Sequence, residues 1–339
     1  MRRPSGASAC LMLGVLLVGS LLLAISLGTV TLPVGDVWRV IAHHVAGVGG
    51  APDALQDQIV WSIRAPRVLL AAVVGAALSV AGVALQALVR NPLADPYVLG
   101  VSSGASLGAV LVMGLGSAAA GLTASGGAFA GALISLVTVF VLAQRSGQLT
   151  DSRLILAGVA ISYLAMAGTS LVQLRADPTQ VRGILFWLMG SVAGAKWEQL
   201  GLPATVMVLA AAFLVLQGRN MNALAVGDDD AAALGVDVHR LRISLLVVGS
   251  LLTAVAVAVA GGVGFVGLMV PHAARLVVGS DHRRLLPVAA LTGSVFLVLV
   301  DLATRTVDRP NEYPITVFTA ALGAPFFLWL LRRGAPKGF

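Results

Sequence analysis

The stretch RAPRVLLAAVVGAALSVAGVALQALVRNPLADPYVLGVSSGASLG, residues 64–108, joins two apolar runs through a short polar turn. The first run, 66–89, is long enough to cross a bilayer as a helix. Pro92 and Pro96 lack backbone donors and keep the residues before them out of helical geometry, so the turn is stiff. The stretch therefore predicts two membrane-spanning helices held close together by a rigid connection.

The composition of the whole chain agrees with this prediction. Of the 339 residues, 58% are hydrophobic and only 11% are charged, and the mean hydropathy is +0.94. A soluble domain averages about 45–50% apolar and about 25% charged residues. Long runs of Leu, Ala, Val and Gly favour helical spans over the alternating pattern of a β-barrel. The chain is therefore predicted to be an all-α integral membrane protein.

Runs of about 17–25 mainly apolar residues predict about ten transmembrane helices in one domain, 1–339. They lie near 9–30, 66–89, 97–116, 122–144, 153–174, 199–217, 243–263, 265–278, 285–305 and 313–332. The first is interpreted as an uncleaved span, and a cleaved signal peptide is the weaker alternative. The larger share of the 22 Arg and Lys residues falls on one side, which places both termini in the cytoplasm.

The charge and the cysteine content exclude two other kinds of site. The net charge of +7 comes from basic residues scattered between apolar runs, a pattern typical of loops that orient a membrane protein. It does not resemble the basic patch of a nucleic-acid-binding protein. Cys10 is the only cysteine, so the chain can form neither an intramolecular disulfide nor a cysteine-based metal site.

Small residues recur after the proline turn, where Gly100, Gly104 and Gly108 are spaced by four and Ser103 lies among them. This spacing lets two helix backbones approach closely. The same residues would also give a transport path a smooth and weakly polar wall. Both interpretations are open at this point, and Gly100, Ser103 and Gly104 are the candidate path-lining residues.

The quoted stretch resembles the FecCD/BtuC-like family, the permease subunits of type II ABC importers for iron–siderophore, haem and cobalamin. The resemblance continues in family order through DSRLILAGVAIS (151–162), GFVGLMVPHAARLVVGSDHRRLLPVAALTG (264–293) and YPITVFTAALGAPFFLWLLRR (313–333). It implies ten helices per subunit, a dimer of identical or related permeases, and a bacterial inner-membrane location. It also implies separate ABC ATPase subunits and a substrate-binding protein as partners.

The segment NMNALAVGDDDAAALGVDVHRLR, residues 220–242, reads as two short helices separated at Gly227 and capped at Gly235. Its three adjacent carboxylates could mark a metal site, but no His or Glu supports them nearby, and a solvated helix start is the ordinary interpretation. The resemblance implies that this is the coupling segment that binds the ATPase. The implied coupling residues are Gly227, Asp228, Asp229, Asp230, Ala233, Leu234 and Gly235.

Nucleotide chemistry is expected in another chain. The sequence lacks G-x-x-x-x-G-K-[ST], the loop that cradles nucleotide phosphates, and it contains no H-E-x-x-H. The chain is therefore expected to be no enzyme and to carry no cofactor, and ATP and Mg²⁺ would be bound by the partner ATPase.

Two turns are implied by the resemblance to close the path on the cytoplasmic side. They are NPLADP (91–96) and the connection QLTDSR (148–153). The residues that match the family's gates are Asn91, Leu93, Thr150, Asp151 and Ser152.

Three arginines fall on the outer side, where the positive-inside rule gives no reason for them. From the residues alone they could be interfacial anchors. By resemblance, Arg64, Arg67 and Arg305 would dock the binding protein through its glutamates. Asp301 is the one carboxylate well inside an apolar run, and Arg305 lies four residues later on the same helix face. A structural ion pair is favoured there over a proton relay.

These inferences predict the permease subunit of an ATP-driven importer, with an iron–siderophore as the first expected substrate and haem or cobalamin next. The alternative is an ion-coupled secondary transporter, which would need a charged site at the midplane of the membrane without a structural partner. A non-transporting membrane anchor is a third class, but it explains neither the proline turn nor the segment 220–242.

Overall fold

The computed structural model of the chain describes residues 6–28, 30–48, 50, 52–115, 123–145 and 148–333. It is built from α-helices, which confirms the predicted fold class. The helices are α1 Gly6–Ser26, α2 Val34–Ala46, α3 Ala54–Asp57, α4 Ala65–Leu88, α5 Val101–Leu115, α6 Ala124–Ala143, α7 Asp151–Arg175, α8 Pro178–Leu188, α9 Gly201–Leu216, α10 Gly218–Leu224, α11 Asp228–Ala233, α12 Val238–Ala260, α13 Val266–Val278, α14 His282–Thr304 and α15 Ile315–Arg333.

Three short irregular helices and one hairpin complete the described chain. A π-helical turn, Gln58–Arg64, leads into α4, and 3₁₀ turns at Pro96–Leu99 and Trp197–Gln199 precede α5 and α9. Two two-residue strands, β1 Gln144–Arg145 and β2 Gln148–Leu149, pair antiparallel between α6 and α7.

Within the described residues, seven helices are long and apolar enough to cross a membrane, and three shorter apolar helices accompany them. The seven are Gly6–Ser26, Ala54–Leu88, Ala124–Ala143, Ser152–Arg175, Trp197–Leu216, Val238–Ala260 and His282–Thr304; the shorter three are Val101–Gly114, Val266–Val278 and Ile315–Leu330. Each falls on one of the predicted apolar runs. The sequence analysis did not predict α2 and α8, because neither lies in a run of membrane-spanning length.

The helix that follows RAPR, α4, is the centre of the fold. In its most apolar window 89% of the residues are buried, against 17% for α7 and for α9. α4 packs against α12, α13 and α14, and α1 packs in turn on α14. The two closest approaches of α4 occur at glycines, since a Cβ on Gly75 would overlap the Gly293 carbonyl and one on Gly82 would overlap the Gly267 carbonyl.

The glycine stripe of α5 makes a second close contact, with α6. A Cβ added to Gly104 would overlap Ser135 and Gly131, and one added to Gly108 would overlap the Gly127 carbonyl. Small residues on both helices therefore bring the two backbones together, as packing in lipid favours. The packing interpretation of the predicted glycine stripe is confirmed.

The chain is extended between the seventh and eighth apolar runs, and this extended segment joins several helices. Gly261 follows the end of α12 and Phe265 precedes the start of α13, and both residues have positive φ, +70° and +67°. The extended residues between them contact the end of α8, where the Ser191 amide donates to the Ala260 carbonyl at 2.8 Å. The start of α15 joins there, because the Thr316 hydroxyl donates to the Gly262 carbonyl at 2.8 Å.

We predict that Gly82→Ala destabilises the chain, because the new Cβ would meet the backbone of α13 rather than a side chain that can move. Overpacking of this kind costs about 1–3 kcal/mol. Gly14→Ala is the matched control, since a Cβ at that helical glycine meets nothing within 4 Å. Thermal unfolding of the detergent-purified protein should show a lower midpoint for Gly82→Ala only. Equal midpoints for the two variants would contradict the packing described for α4.

Candidate functional site

At the end of the molecule opposite the segment 220–242, a cluster of buried charges ties α4 to α14. Asp301 is 1% exposed. Its carboxylate accepts from the Arg67 Nε at 2.9 Å and 3.2 Å and pairs with the Arg305 Nε at 3.5 Å. Arg67 also donates through Nη1 to both Glu312 oxygens, at 3.0 Å and 3.1 Å. Two guanidinium groups and two carboxylates thus form one network, and the predicted Asp301–Arg305 pair is confirmed.

The third arginine of this region caps α1. Arg64 donates through Nη1 to the carbonyls of Ile25 at 2.7 Å and Ser26 at 3.0 Å, and through Nη2 to the carbonyl of Val30. Arg305 donates to the neighbouring carbonyl of Ala24. The last carbonyls of a helix have no partner within the helix and carry partial negative charge, so cations there are stabilising.

Arg64, Arg67 and Arg305 are buried in the chain taken by itself. The three residues are only 5%, 6% and 4% exposed, and their donors bind atoms of this chain. The one-sided charge rule locates a residue at one membrane face but does not distinguish the surface from the interior. The docking role of the three arginines stays a prediction.

A polar cavity lies between α5, α7 and α8. Its volume is about 470 Å³. The residues that line it are Ser103, Ser106, Ser162, Tyr163, Met166, Thr169, Ser170, Gln173 and Leu188. Six of the nine lining residues carry a hydroxyl group, although most of the accessible wall is apolar, and none of these residues carries a charge.

Of the predicted path-lining residues, Ser103 lines this cavity. Gly100 and Gly104 are buried between helices, against α7 and α6 respectively. The path-lining role of the three residues stays a prediction. The sequence analysis also missed the contribution of α7. Its signal was present as a polar stripe at helical spacing, Ser162, Thr169, Ser170 and Gln173, in an otherwise apolar run.

The turn NPLADP is held tightly from within and exposes one apolar side chain. Asn91 accepts the Leu93 amide at 2.9 Å through its side chain. Gln86 of α4 donates to the carbonyls of Ala94 and Gly267, both at 3.3 Å, which joins the turn to α13. Leu93 itself is 52% exposed. The turn therefore presents Leu93 from a rigid base, and the gate assignment of Asn91 and Leu93 stays a prediction.

The second predicted gate lies where α7 begins. Thr150 and Ser152 are exposed, and the side chain of Asp151 lies outside the described part of the structure. Arg153 donates to the Gln144 carbonyl at 2.9 Å, which holds the start of α7 against the hairpin β1–β2. The gate role of these residues also stays a prediction.

The predicted coupling segment forms two short helices, α10 and α11, as expected. Gly227 separates them with a φ of +154°, and Gly235 follows α11 with a φ of +84°. Asp229 and Asp230 are exposed, as is Ala233, whereas Asp228 is half-buried. No group of three metal-ligating side chains occurs among the described residues.

Two large apolar side chains of this segment face outward. Val226 is 70% exposed and Leu234 is 72% exposed. They flank the exposed carboxylates of α11, so the segment presents apolar groups beside acidic ones. Such an exposed apolar patch with a polar rim is typical of a protein–protein contact.

Two polar contacts fasten the coupling segment to the spans. Asn222 of α10 donates to Asp281 at 2.8 Å and accepts the His282 amide at 2.9 Å, at the start of α14. This hydrogen bond from Asn222 holds the pKa of the Asp281 carboxyl below its usual range. Asp228 of α11 pairs with Arg242 at 3.1 Å and with Arg90 at 3.3 Å. The sequence analysis missed both arginines, although Arg90 directly precedes the NPLADP turn.

Known transport proteins are similar to this chain along most of its length. The family model for the FecCD transport family matches residues 16–333. The chain is 47% identical over 283 residues to the cobalamin import system permease protein BtuC of Halobacterium salinarum, covering 84% of this chain and 75% of that protein. It is 41% identical over 332 residues to the hemin transport system permease protein HmuU of Yersinia pestis, covering 95% and 96%.

A solved structure agrees along nearly the whole length. It is described as an inward-facing conformation of a metal-chelate type ABC transporter. It matches with a TM-score of 0.84 and 32% identity, covering 96% of this chain and 99% of that one.

We predict that Asp301 stabilises the fold. Asp301→Asn leaves Arg67 and Arg305 as neighbouring buried cations, and breaking a buried ion pair from one side costs about 3–5 kcal/mol. The control is Asp308→Asn, which alters an exposed carboxylate at the same end. Thermal unfolding should show a large loss for Asp301→Asn and a change within about 0.5 kcal/mol for the control. An Asp301→Asn protein as stable as wild type would refute the structural role.

Proposed function

Because this chain belongs to the FecCD transport family, we propose that it forms the transmembrane path of an ATP-driven importer that carries a metal chelate into the cytoplasm. The observation that carries the proposal is the match of the FecCD family model to residues 16–333. The apolar helices of the chain and the exposed coupling segment, 220–242, agree with it. The chain makes and breaks no covalent bond in this proposal. It supplies a path, two gates and a surface for the protein that hydrolyses ATP.

The partners follow from this role. We expect a dimer with a second permease, ABC ATPase subunits that bind ATP and Mg²⁺, and a substrate-binding protein that delivers the chelate. The inner membrane of a bacterium, with both termini in the cytoplasm, is the proposed location. Val226 and Leu234 support the ATPase contact, because they place two exposed apolar side chains on either side of the short helix α11, outside the spans.

The docking surface for the binding protein is proposed at the end of the molecule that carries Arg64, Arg67 and Arg305. Exposed basic residues at that end include Arg175, Arg182 and Arg309. They lie at the end of α7, in α8 and after α14. Exposed charges of this kind favour fast and specific association more than high affinity.

The substrate is proposed from the path wall and from the relatives. A hydroxyl-lined cavity without a charged lining residue suits a bulky chelate that offers hydrogen-bonding groups and needs no ion pair. The resemblance in sequence placed an iron–siderophore first. Relatives named for cobalamin are 37–47% identical, and those named for hemin and iron(3+)-hydroxamate are 41% and 37% identical, so all three kinds of chelate enter the test.

The ion-coupled alternative is less consistent with the charges. A secondary transporter of this kind needs a membrane carboxylate that can bind and release an ion or a proton. Asp301 was its only candidate, and it is held by Arg67 and Arg305. Protonation of Asp301 would leave the buried Arg305 without its carboxylate and Arg67 with Glu312 alone.

The test is uptake into proteoliposomes that contain the permease with its ATPase and binding protein. Cobalamin, haem and a ferric hydroxamate would be supplied separately, with and without ATP. Uptake of one chelate that requires ATP supports the proposal and identifies the substrate. Uptake that follows a proton or sodium gradient without ATP would establish the alternative.

We predict that Leu234→Glu weakens binding of the ATPase at least tenfold, because it adds charge where α11 presents an apolar side chain. Val307→Glu is the matched control, since Val307 is 68% exposed at the opposite end of the molecule. Co-purification with the ATPase subunits and a titration in nanodiscs measure the effect. The coupling assignment would be wrong if both variants bound the ATPase like the wild type.

A further inference from the structure

The three aspartates of the coupling segment do not have the same surroundings. Asp229 and Asp230 are exposed, so they face the side from which a partner would approach. Asp228 turns inward and contacts two arginines from different parts of the chain. We infer that Asp228 is a positioning residue that links the ATPase-binding helix α11 to the gate turn through Arg90; this inference rests on the proposed function.

One of the two arginines is a fixed point. Arg242 belongs to the first turns of α12, and its side chain is 6% exposed. Its Nη2 lies 3.2 Å from Asp228 Oδ1 and 3.1 Å from Oδ2. α12 packs directly on the central helix α4. Arg242 therefore holds the carboxylate of Asp228 in place against the spans.

The other arginine belongs to the turn itself. The Arg90 Nη1 lies 3.3 Å from Asp228 Oδ1, and the side chains of Arg90 and Asp228 are 35% and 43% exposed. Arg90 directly precedes Asn91, and Leu93 follows two residues later. A shift of α11 would therefore act on the residue from which the gate turn starts.

The backbone conformation of Arg90 indicates that its side chain is needed at this position. Arg90 has a φ of +50° at the end of α4, where the Asn91 amide donates to the Gln86 carbonyl at 3.1 Å. Glycine is the usual residue at such a left-handed position after a helix, because a Cβ is unfavourable there. Glycine would form the same turn with less strain. An arginine at this position is accounted for by the contact that its guanidinium makes with Asp228.

The partial exposure of the Asp228–Arg90 ion pair determines how much its loss should change the coupling of ATP hydrolysis to transport. A half-exposed ion pair contributes modestly and is weakened by solvent, unlike the buried network at the other end. Such a pair can bias a turn between two positions without locking it in one. Its loss should reduce the coupling of ATP hydrolysis to transport about three- to fivefold rather than abolish transport.

The experiment compares Asp228→Asn, Arg90→Gln and the double variant in the complete reconstituted complex. The readout is the number of chelate molecules imported per ATP hydrolysed. Arg90→Gln should lower this ratio about three- to fivefold, and Asp228→Asn at least as much, because it also removes the contact with Arg242. The double variant should be no worse than Asp228→Asn alone, because the Asp228–Arg90 contact is already absent there. Asp36→Asn, an identical change on a carboxylate that pairs with Arg39 outside the coupling segment, should keep the wild-type ratio.

A second readout follows the turn directly. Leu93→Cys in a Cys10→Ser background carries a single thiol, since Cys10 is the only native cysteine. In otherwise unchanged protein, addition of ATP should alter the rate at which Cys at this position reacts with a maleimide. Arg90→Gln should remove most of this ATP-dependent change in the reaction rate. This variant provides the test by itself if the Asp228→Asn complex fails to assemble.

The outcomes separate this inference from the proposed function. Wild-type complexes that import no chelate with ATP would refute the proposed function itself. Wild-type import together with normal ratios in both single variants would overturn the inference and leave the function standing. Strictly additive losses in the double variant would also overturn it, because the two residues would then act through different contacts.

Discussion

The fold depends on the close approach of α4 to the helices that surround it. In lipid there is little hydrophobic force between helices, so association relies on packing and hydrogen bonds. Gly75 and Gly82 let the backbone of α4 meet Gly293 of α14 and Gly267 of α13 without an intervening side chain. Because α4 is almost wholly buried, its packing contacts also determine the positions of the turn that follows it and of the arginines at its start.

Much of this architecture could be predicted from the sequence. Apolar runs located the spans, and the glycine spacing on α5 predicted its contact with α6. Gly227 and Gly235 marked the short helices of the coupling segment, since each has the positive φ that glycine tolerates. These features are local, so the residues that show them in the sequence also determine them in space.

The features that the sequence did not show are contacts between distant residues. Arg67 and Glu312 are 245 positions apart, and nothing local in the sequence shows that they meet. The burial of Arg64, Arg67 and Arg305 was missed for this reason, because their partners are distant carboxylates and the end of α1. The sequence also left open whether Gly100 and Gly104 pack against a helix or line a path, because glycine suits both a packed interface and an open surface. The pairing of Asp228 with Arg90 was missed in the same way.

The two charged regions differ in what it costs to break them. The network of Asp301 is buried, and its loss from one side costs about 3–5 kcal/mol, so a conformational cycle gains by leaving it intact. The Asp228–Arg90 pair is partly exposed, and such pairs contribute about 0.2–1 kcal/mol. Allosteric couplings typically amount to about 1–3 kcal/mol. This is enough to break the Asp228–Arg90 pair but not the network of Asp301. The end of the molecule with Arg67 and Arg305 is thus suited to move as a rigid unit, while the gate turn beside α11 is suited to change position.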